Sequence, residues 1–170
     1  MRRVRFSVAV SLDGYIAGPN GEYDWILMDS DIDLGALMGA FDTVLLGRKT
    51  YDMTRQQAGG GMPGMQAYVF SRTLRQEDCP GVTVSSTLKE TVAALRGANG
   101  KDIWLFGGGE LFRSLLELRL VDSVELAVIP VLLGGGIPLL PHPATHTRLR
   151  FVNHRVYPKT GTVSLEYAPV

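Results

Sequence analysis

Apolar runs of strand length alternate with segments of helical period along almost the whole chain, a pattern that predicts a sheet with helices packed on it. VRFSVAVS (4–11) reads as the first strand, and the loop after it has a Gly-Pro-Asn-Gly core, which is strong turn chemistry. In SDIDLGALMGAF (30–41), Ile32, Leu34, Leu37, Met38 and Phe41 supply one apolar helical side, with Ser30 or Asp29 placed to cap it. TVLLG (43–47) reads as a buried strand and RKTYDMTRQ as the start of a helix. Gly59, Gly60, Gly61, Met62, Pro63 and Gly64 form a mobile loop before the strand AYVFS (67–71).

GVTVS (81–85) is a short strand, and Thr87 with Glu90 three residues later forms a capping box for a helix that Gly97 and Gly100 stop. IWLF (103–106) is the next strand, GELFRSLLEL the next helix and SVELAVIP (123–130) the strand after it. FVNHRVY and TVSLEYA, separated by Pro158, Lys159, Thr160 and Gly161, read as a closing antiparallel hairpin. The expected fold class is α/β: three layers, α/β/α, around a mixed, mostly parallel sheet with an antiparallel C-terminal hairpin. No repeat, low-complexity tract or long linker divides the 170 residues, so one domain, 1–170, is expected.

Composition narrows the function classes. Lys plus Arg equals Asp plus Glu at 17 each, so no global field recruits nucleic acid or an anionic membrane, and a charged ligand must be caught locally. Cys79 is the only cysteine, which excludes an internal disulfide and a Cys-based zinc cluster and fits a reducing, cytoplasmic location. His142, His146 and His154 include an i, i+4 pair, but Pro141 and Pro143 argue against a helical metal site, so no metal is expected. The most apolar later stretch, 127–141, holds three prolines and three glycines and is too short to span a bilayer.

Candidate chemistry lies where strands run into helices. In DIWLFGGGELF (102–112), three glycines separate a strand from a helix; bare N–H groups at a helix start suit a phosphate, although a tight turn explains glycines equally well. LLGRKTY (45–51) repeats the arrangement, with Arg48, Lys49 and Thr50 adding charge and a hydroxyl at the helix start. Arg72 follows the strand YVFS in the same way. Three such junctions on one sheet edge suit a dinucleotide.

Together, SVAVSLDGYIAGPNGEYDW, VLLGRKTYDM, YVFSR and IWLFGGGELFRSLL resemble the dihydrofolate reductase fold. VIPVLLGGGIPLL resembles one branch of it, the C-terminal reductase domain of the bifunctional riboflavin-biosynthesis deaminase/reductase and its stand-alone relatives. The resemblance implies NADPH as hydride donor. It implies Ala9 and Ile16 at the nicotinamide, Arg48 and Arg72 near the adenosine 2′-phosphate, Thr50 on the pyrophosphate, and Gly108 with Gly109 behind it. Gly47, Lys49, Ser71, Phe106, Gly107, Glu110 and Leu111 complete the implied cofactor surface. Among the acids Asp29, Asp31 and Asp33, counting back from GRKT reaches Asp31 as the substrate and catalytic acid, whereas counting forward from Trp25 reaches Ser30. Helix capping is the structural alternative for Asp29 and Asp31.

Tyr15, Trp25 and Tyr51 are candidate pocket walls, with core packing as the alternative for each. The 18–24 and 59–64 loops are candidate lids. Met65 stands where folate reductases carry the arginine that clamps the glutamate carboxylate, and Ala127 where they carry a threonine, which disfavours folate. The expected activity is an NADPH-dependent reductase acting on a C=N or C=O of a small, heterocyclic substrate, similar to 5-amino-6-(5-phosphoribosylamino)uracil reductase. A genuine dihydrofolate reductase and a non-catalytic nucleotide-binding protein of the same fold are the alternatives. The resemblance extends to a homodimer, for which 127–141 is a candidate interface and, equally, core filling.

Overall fold

The structure is a computed structural model that describes residues 1–58 and 60–170. In chain order its elements are β1 (Val4–Ser11), β2 (Tyr15–Ala17), α1 (Leu34–Gly39), β3 (Phe41–Gly47), α2 (Arg48–Ala58), β4 (Gln66–Phe70) and β5 (Thr83–Ser85). Then follow α3 (Leu88–Gly97), β6 (Asp102–Gly107), α4 (Gly109–Glu117), β7 (Ser123–Ile129), β8 (Ile137–Pro138), β9 (Leu149–Tyr157) and β10 (Thr162–Pro169). One sheet has the order β5-β4-β3-β6-β1-β7-β10-β9, and β2 pairs with β8 in a separate small ladder. The strands from β5 to β7 are mutually parallel, because helical crossovers return the chain each time to the same end; β10 runs against both β7 and β9.

Strand alternation divides the core between the two faces. On one face Val4, Phe6, Ile103, Leu105 and Val124 pack under Val92 and Leu95 of α3 and Leu111, Phe112 and Leu115 of α4. Phe6 and Phe112 stack there with ring centroids 3.8 Å apart. On the other face Val44, Leu46, Ala67 and Val69 pack with Tyr51 of α2, Cys79 and Val82. This second layer is incomplete. α1 has no buried residue, and on β1, β7 and β10 the same face presents Arg5, Ser7, Ala9, Glu125, Ala127, Ser164 and Glu166 to an open cleft.

Two helix starts differ from the sequence expectation. α1 is six residues long, leaving Ile32 outside it and Phe41 in β3; Gly35 and Gly39 lower its helical preference. Its cap is Asp33, which accepts from the Ala36 N–H at 2.8 Å, because the Asp29 carboxylate is engaged elsewhere. The Thr87–Glu90 capping box does not form: Thr87 makes no side-chain cap bond and its Oγ1 lies 3.3 Å from Thr91 Oγ1. The β2–β8 ladder lacks the length for a pattern to show in sequence.

Ion pairs gather at the end of the sheet where the parallel strands begin. Arg2 pairs with Asp42, Arg3 with Asp102 at 2.8 Å, and Arg96 with Asp122 at 2.8 Å. Among the described residues, no helix is long and apolar enough to cross a membrane.

Candidate active site

At the opposite end, where the parallel strands finish, lies a cleft of about 1790 Å³. Single small-molecule sites are typically ~300–1,000 Å³, so this cleft has room for two ligands side by side. Gly47, Phe70, Phe106 and Ala9, each at or near a strand end, contribute to it.

The three glycines divide their work. Gly107 has φ +124, which a side chain would strain, and the Gly107–Gly108 peptide is cis. A Cβ on Gly109 would meet Pro141 Cδ at 2.8 Å and the Pro138 carbonyl at 2.9 Å, so the chain's own 138–141 segment requires that glycine. Gly108 is the one left facing the cleft without such an internal demand: a Cβ there would lie 3.4 Å from Thr50 Oγ1 and would narrow the gap between the starts of α4 and α2. It is also the residue before α4, and having no side chain it leaves the first-turn N–H groups uncapped. Of the three glycines, Gly108 and Gly109 line the cleft, Gly109 being required by the 138–141 segment as well, whereas Gly107 does not line it.

Around Gly108 the cleft brings together Gly47, Arg48, Lys49, Thr50, Ser71, Arg72, Glu110 and Leu111, with Gly109 at the back. Ala9 and Ile16 line it further along. Arg48 is partly committed: its Nε donates to Asp52 and its Nη1 to Thr73, both at 2.8 Å. Ser71 Oγ accepts from the Thr73 and Leu74 N–H groups, which shapes the turn carrying Arg72. Arg72 has no partner among the described residues and is the freer cation. The cluster thus offers hydroxyl, guanidinium and helix-start donors, with Glu110 as the acid among them, and its donors suit a phosphorylated ligand.

The opposite end of the cleft differs from the expectation. Asp31 does not line it. The Asp29 carboxylate is buried and accepts from the Asp31 N–H at 2.9 Å and from Thr160 Oγ1 and N at 2.9 and 3.1 Å; this turns Asp31 outward to an ion pair with Lys159 at 2.6 Å. The Asp31 N–H, against some opposing desolvation and with Thr160 assisting, holds the Asp29 carboxyl below the usual range. Asp33 is the acid of this segment that reaches the cleft.

None of the three predicted aromatic wall residues is on the lining: Tyr15 sits in β2, paired in register with Pro138 of β8. Trp25 donates its indole N–H to the Glu22 carbonyl at 3.0 Å. Tyr51 is 1% exposed in the second core, where burial and the neighbouring Cys79 thiol raise its phenol above the ordinary range. Its ring occupies the space a side chain on Gly60 would need, while Gly61 and Met62 line the cleft; Gly59 lies outside the described residues. In the 18–24 loop, Gly21 and Tyr23 reach the cleft. Met65 packs against the second core, and Ala127 lies on the cleft floor.

Sequence reasoning missed that floor: Glu125 on β7 and Ser164 and Glu166 on β10. The signal was present, since SVELAVI and TVSLEYA place a polar residue at every second position over part of their length, as a half-open sheet face does. Part of the 127–141 stretch is core, with Leu139 and Leu140 against the first cluster, while Leu132 is 71% exposed.

The chain is similar to known proteins in sequence and in fold. YyaP, an uncharacterized protein of Bacillus subtilis (strain 168), is 35% identical over 98% of this chain and 94% of its own length. The crystal structure of a putative riboflavin biosynthesis protein from Shewanella sp. PV-4 superposes over 100% of this chain and 99% of that one, with a TM-score of 0.82 at 27% identity. A Thermotoga maritima diaminohydroxyphosphoribosylaminopyrimidine deaminase/5-amino-6-(5-phosphoribosylamino)uracil reductase shares the fold, with a TM-score of 0.73 at 18% identity; this chain covers 57% of it. The α/β architecture is therefore that of the dihydrofolate reductase-like, riboflavin-reductase fold. Residues 2–163 match the RibD C-terminal domain profile, and the chain belongs to that family.

Proposed function

We propose that the protein is an NADPH-dependent reductase that delivers hydride to a C=N or C=O carbon of a small heterocyclic substrate, as riboflavin-pathway reductases do. The observation that carries this reading is the Gly108–Thr50 gap, a bare backbone at one helix start facing a hydroxyl at another, within a cleft large enough for two ligands. In this reading Gly108, Thr50 and the α4 N–H groups hold the pyrophosphate, and Arg72 with the uncommitted edge of Arg48 holds the 2′-phosphate. Gly47, Lys49, Ser71, Phe106, Glu110 and Leu111 line the same stretch, and Ala9 and Ile16 bound the nicotinamide end. When bound, the cofactor supplies the hydride.

The chain's own work is to fix the acceptor and limit water. Leu27, Met28 and Leu34 line the cleft as exposed apolar residues, and Ser7, Glu125 and Ser164 line it as polar ones. Reduction also needs a proton at the acceptor, and Asp33 is a cleft-lining carboxyl available to hold or relay one.

Titration with NADPH and NADH, followed by NADPH oxidation over an acceptor panel that includes dihydrofolate and riboflavin-pathway aminouracils, tests the reading. NADPH preference and turnover with a non-folate heterocycle are expected. Failure to bind NADPH would sink it, and tight binding with no turnover would favour a nucleotide-binding role. For assembly, we infer a homodimer through β9, an edge strand on which Phe151 and Val156 are each 53% exposed; a monomer by sedimentation would refute that.

A further inference from the structure

The cleft floor holds a charge that the fold does not use. Glu125 on β7 and Glu166 on β10 stand directly opposite each other on an antiparallel pair, and both face the cleft. Like charges so placed destabilise a sheet unless they are compensated. Glu125 is compensated: Arg5 grips it through Nε at 2.7 Å and Nη2 at 2.8 Å, and Ser123 Oγ donates to it at 2.7 Å. Arg5 is fully occupied by this fork, by Asp102 at 3.4 Å and by the Phe41 ring 4.7 Å away. Glu166 has no hydrogen-bond or ion-pair partner among the described residues. The nearest cation in register, Arg155, sits opposite Ser164 and lies over the Tyr157 ring at 4.8 Å.

We propose that Glu166 is a specificity-determining residue, and that its partner is the substrate. The half-buried carboxylate accepts hydrogen bonds from a ligand with a donor edge, an amine or amidine on a flat ring, in a cleft that Leu27, Met28 and Leu34 line with apolar surface. At Glu166 the cleft therefore favours planar, N–H-donating or cationic heterocycles over anionic ones, because Glu125 is already paired with Arg5 and Glu166 is the carboxylate left to accept. Calling this ligand the hydride acceptor rests on the reductase reading; the donor selectivity rests on the floor alone.

Three flat probes of nearly equal shape test it: benzamidine, benzamide and benzoate, titrated into the wild type and E166Q, with NADPH titrated in parallel. The wild type should bind benzamidine at least about tenfold more tightly than benzamide, the scale of a charge-assisted hydrogen bond, and benzoate most weakly. E166Q should lose that order while keeping NADPH affinity, and its melting temperature should hold because Glu166 has no hydrogen-bond or ion-pair partner among the described residues to lose. No preference in the wild type, or one that survives in E166Q, overturns the proposal. A Glu166-dependent preference in a protein that fails to bind NADPH supports the donor site and removes the reductase reading instead.

Discussion

Gly109 lies against Pro141 so closely that a single methyl group on its Cα would stand 2.8 Å from the proline Cδ. Its neighbour Gly108 has only Thr50 Oγ1 within reach, at the limit of an ordinary contact. Substituting the two should therefore do different things. G109A should destabilise the fold by ~1–3 kcal/mol, the usual cost of overpacking, in thermal or urea melts. G108A should melt near the wild type but bind NADPH more weakly. If instead G108A lost stability and kept its affinity, the allocation of the two glycines would be reversed.

Arg72 and Arg48 should not be equivalent. Arg72 has no partner among the described residues, whereas Arg48 already donates to Asp52 and Thr73. R72A should weaken NADPH by about tenfold or more, as expected for ~1.5–3 kcal/mol of lost charged hydrogen bonding, and leave NADH almost unchanged. R48A should show the smaller loss of the two. Equal effects on both cofactors would remove the 2′-phosphate assignment.

Tyr51 separates core from cleft. Because its side chain is buried against Val44, Leu46, Val69 and Cys79, Y51A should cost ~3–5 kcal/mol of stability by opening a large cavity. Y51F should fold like the wild type, and both variants, where folded, should bind NADPH normally. A change in substrate affinity in Y51F at unchanged stability would return Tyr51 to the site.

Asp29 gives a pH test. Its folded-state carboxyl is held below the usual range, so its contribution is present above the unfolded value of about 3.9 and fades as pH falls through the lower, folded value. D29N should be less stable than the wild type at neutral pH, and that gap should close below about pH 4. Urea midpoints against pH would show it. A gap of constant size across the acid range would mean that the carboxylate charge is not what ties Thr160 to the 29–31 turn.

The parallel core was legible because its strands are short, apolar runs, and some end in glycine, so that period and punctuation agree; Phe41 to Gly47 and Asp102 to Gly107 are examples. That GRKT and Gly108 line one cleft was legible for a related reason, since each lies within a single strand-to-helix junction. The arrangement of the rest of the cleft was not. Asp29 is fixed by Thr160, 131 residues away, and that distant contact decides which way Asp31 points. Likewise, Glu125 and Glu166 become neighbours only through the β7–β10 register. Tyr51 sits one residue from the cleft-lining Thr50, and only helical rotation separates core from ligand there.

The placing of ion pairs at one end of the sheet and bare glycine junctions at the other has an evolutionary consequence. Substitutions around Arg2, Arg3, Arg96 and their carboxylates should act on how long the protein survives heat or acid, while those around Gly108 and Arg72 should act on what it binds. The two properties can drift on separate surfaces of one short domain. Such a fold can change substrate without first regaining lost stability, and a deep mutational scan should divide into two populations along the strand axis.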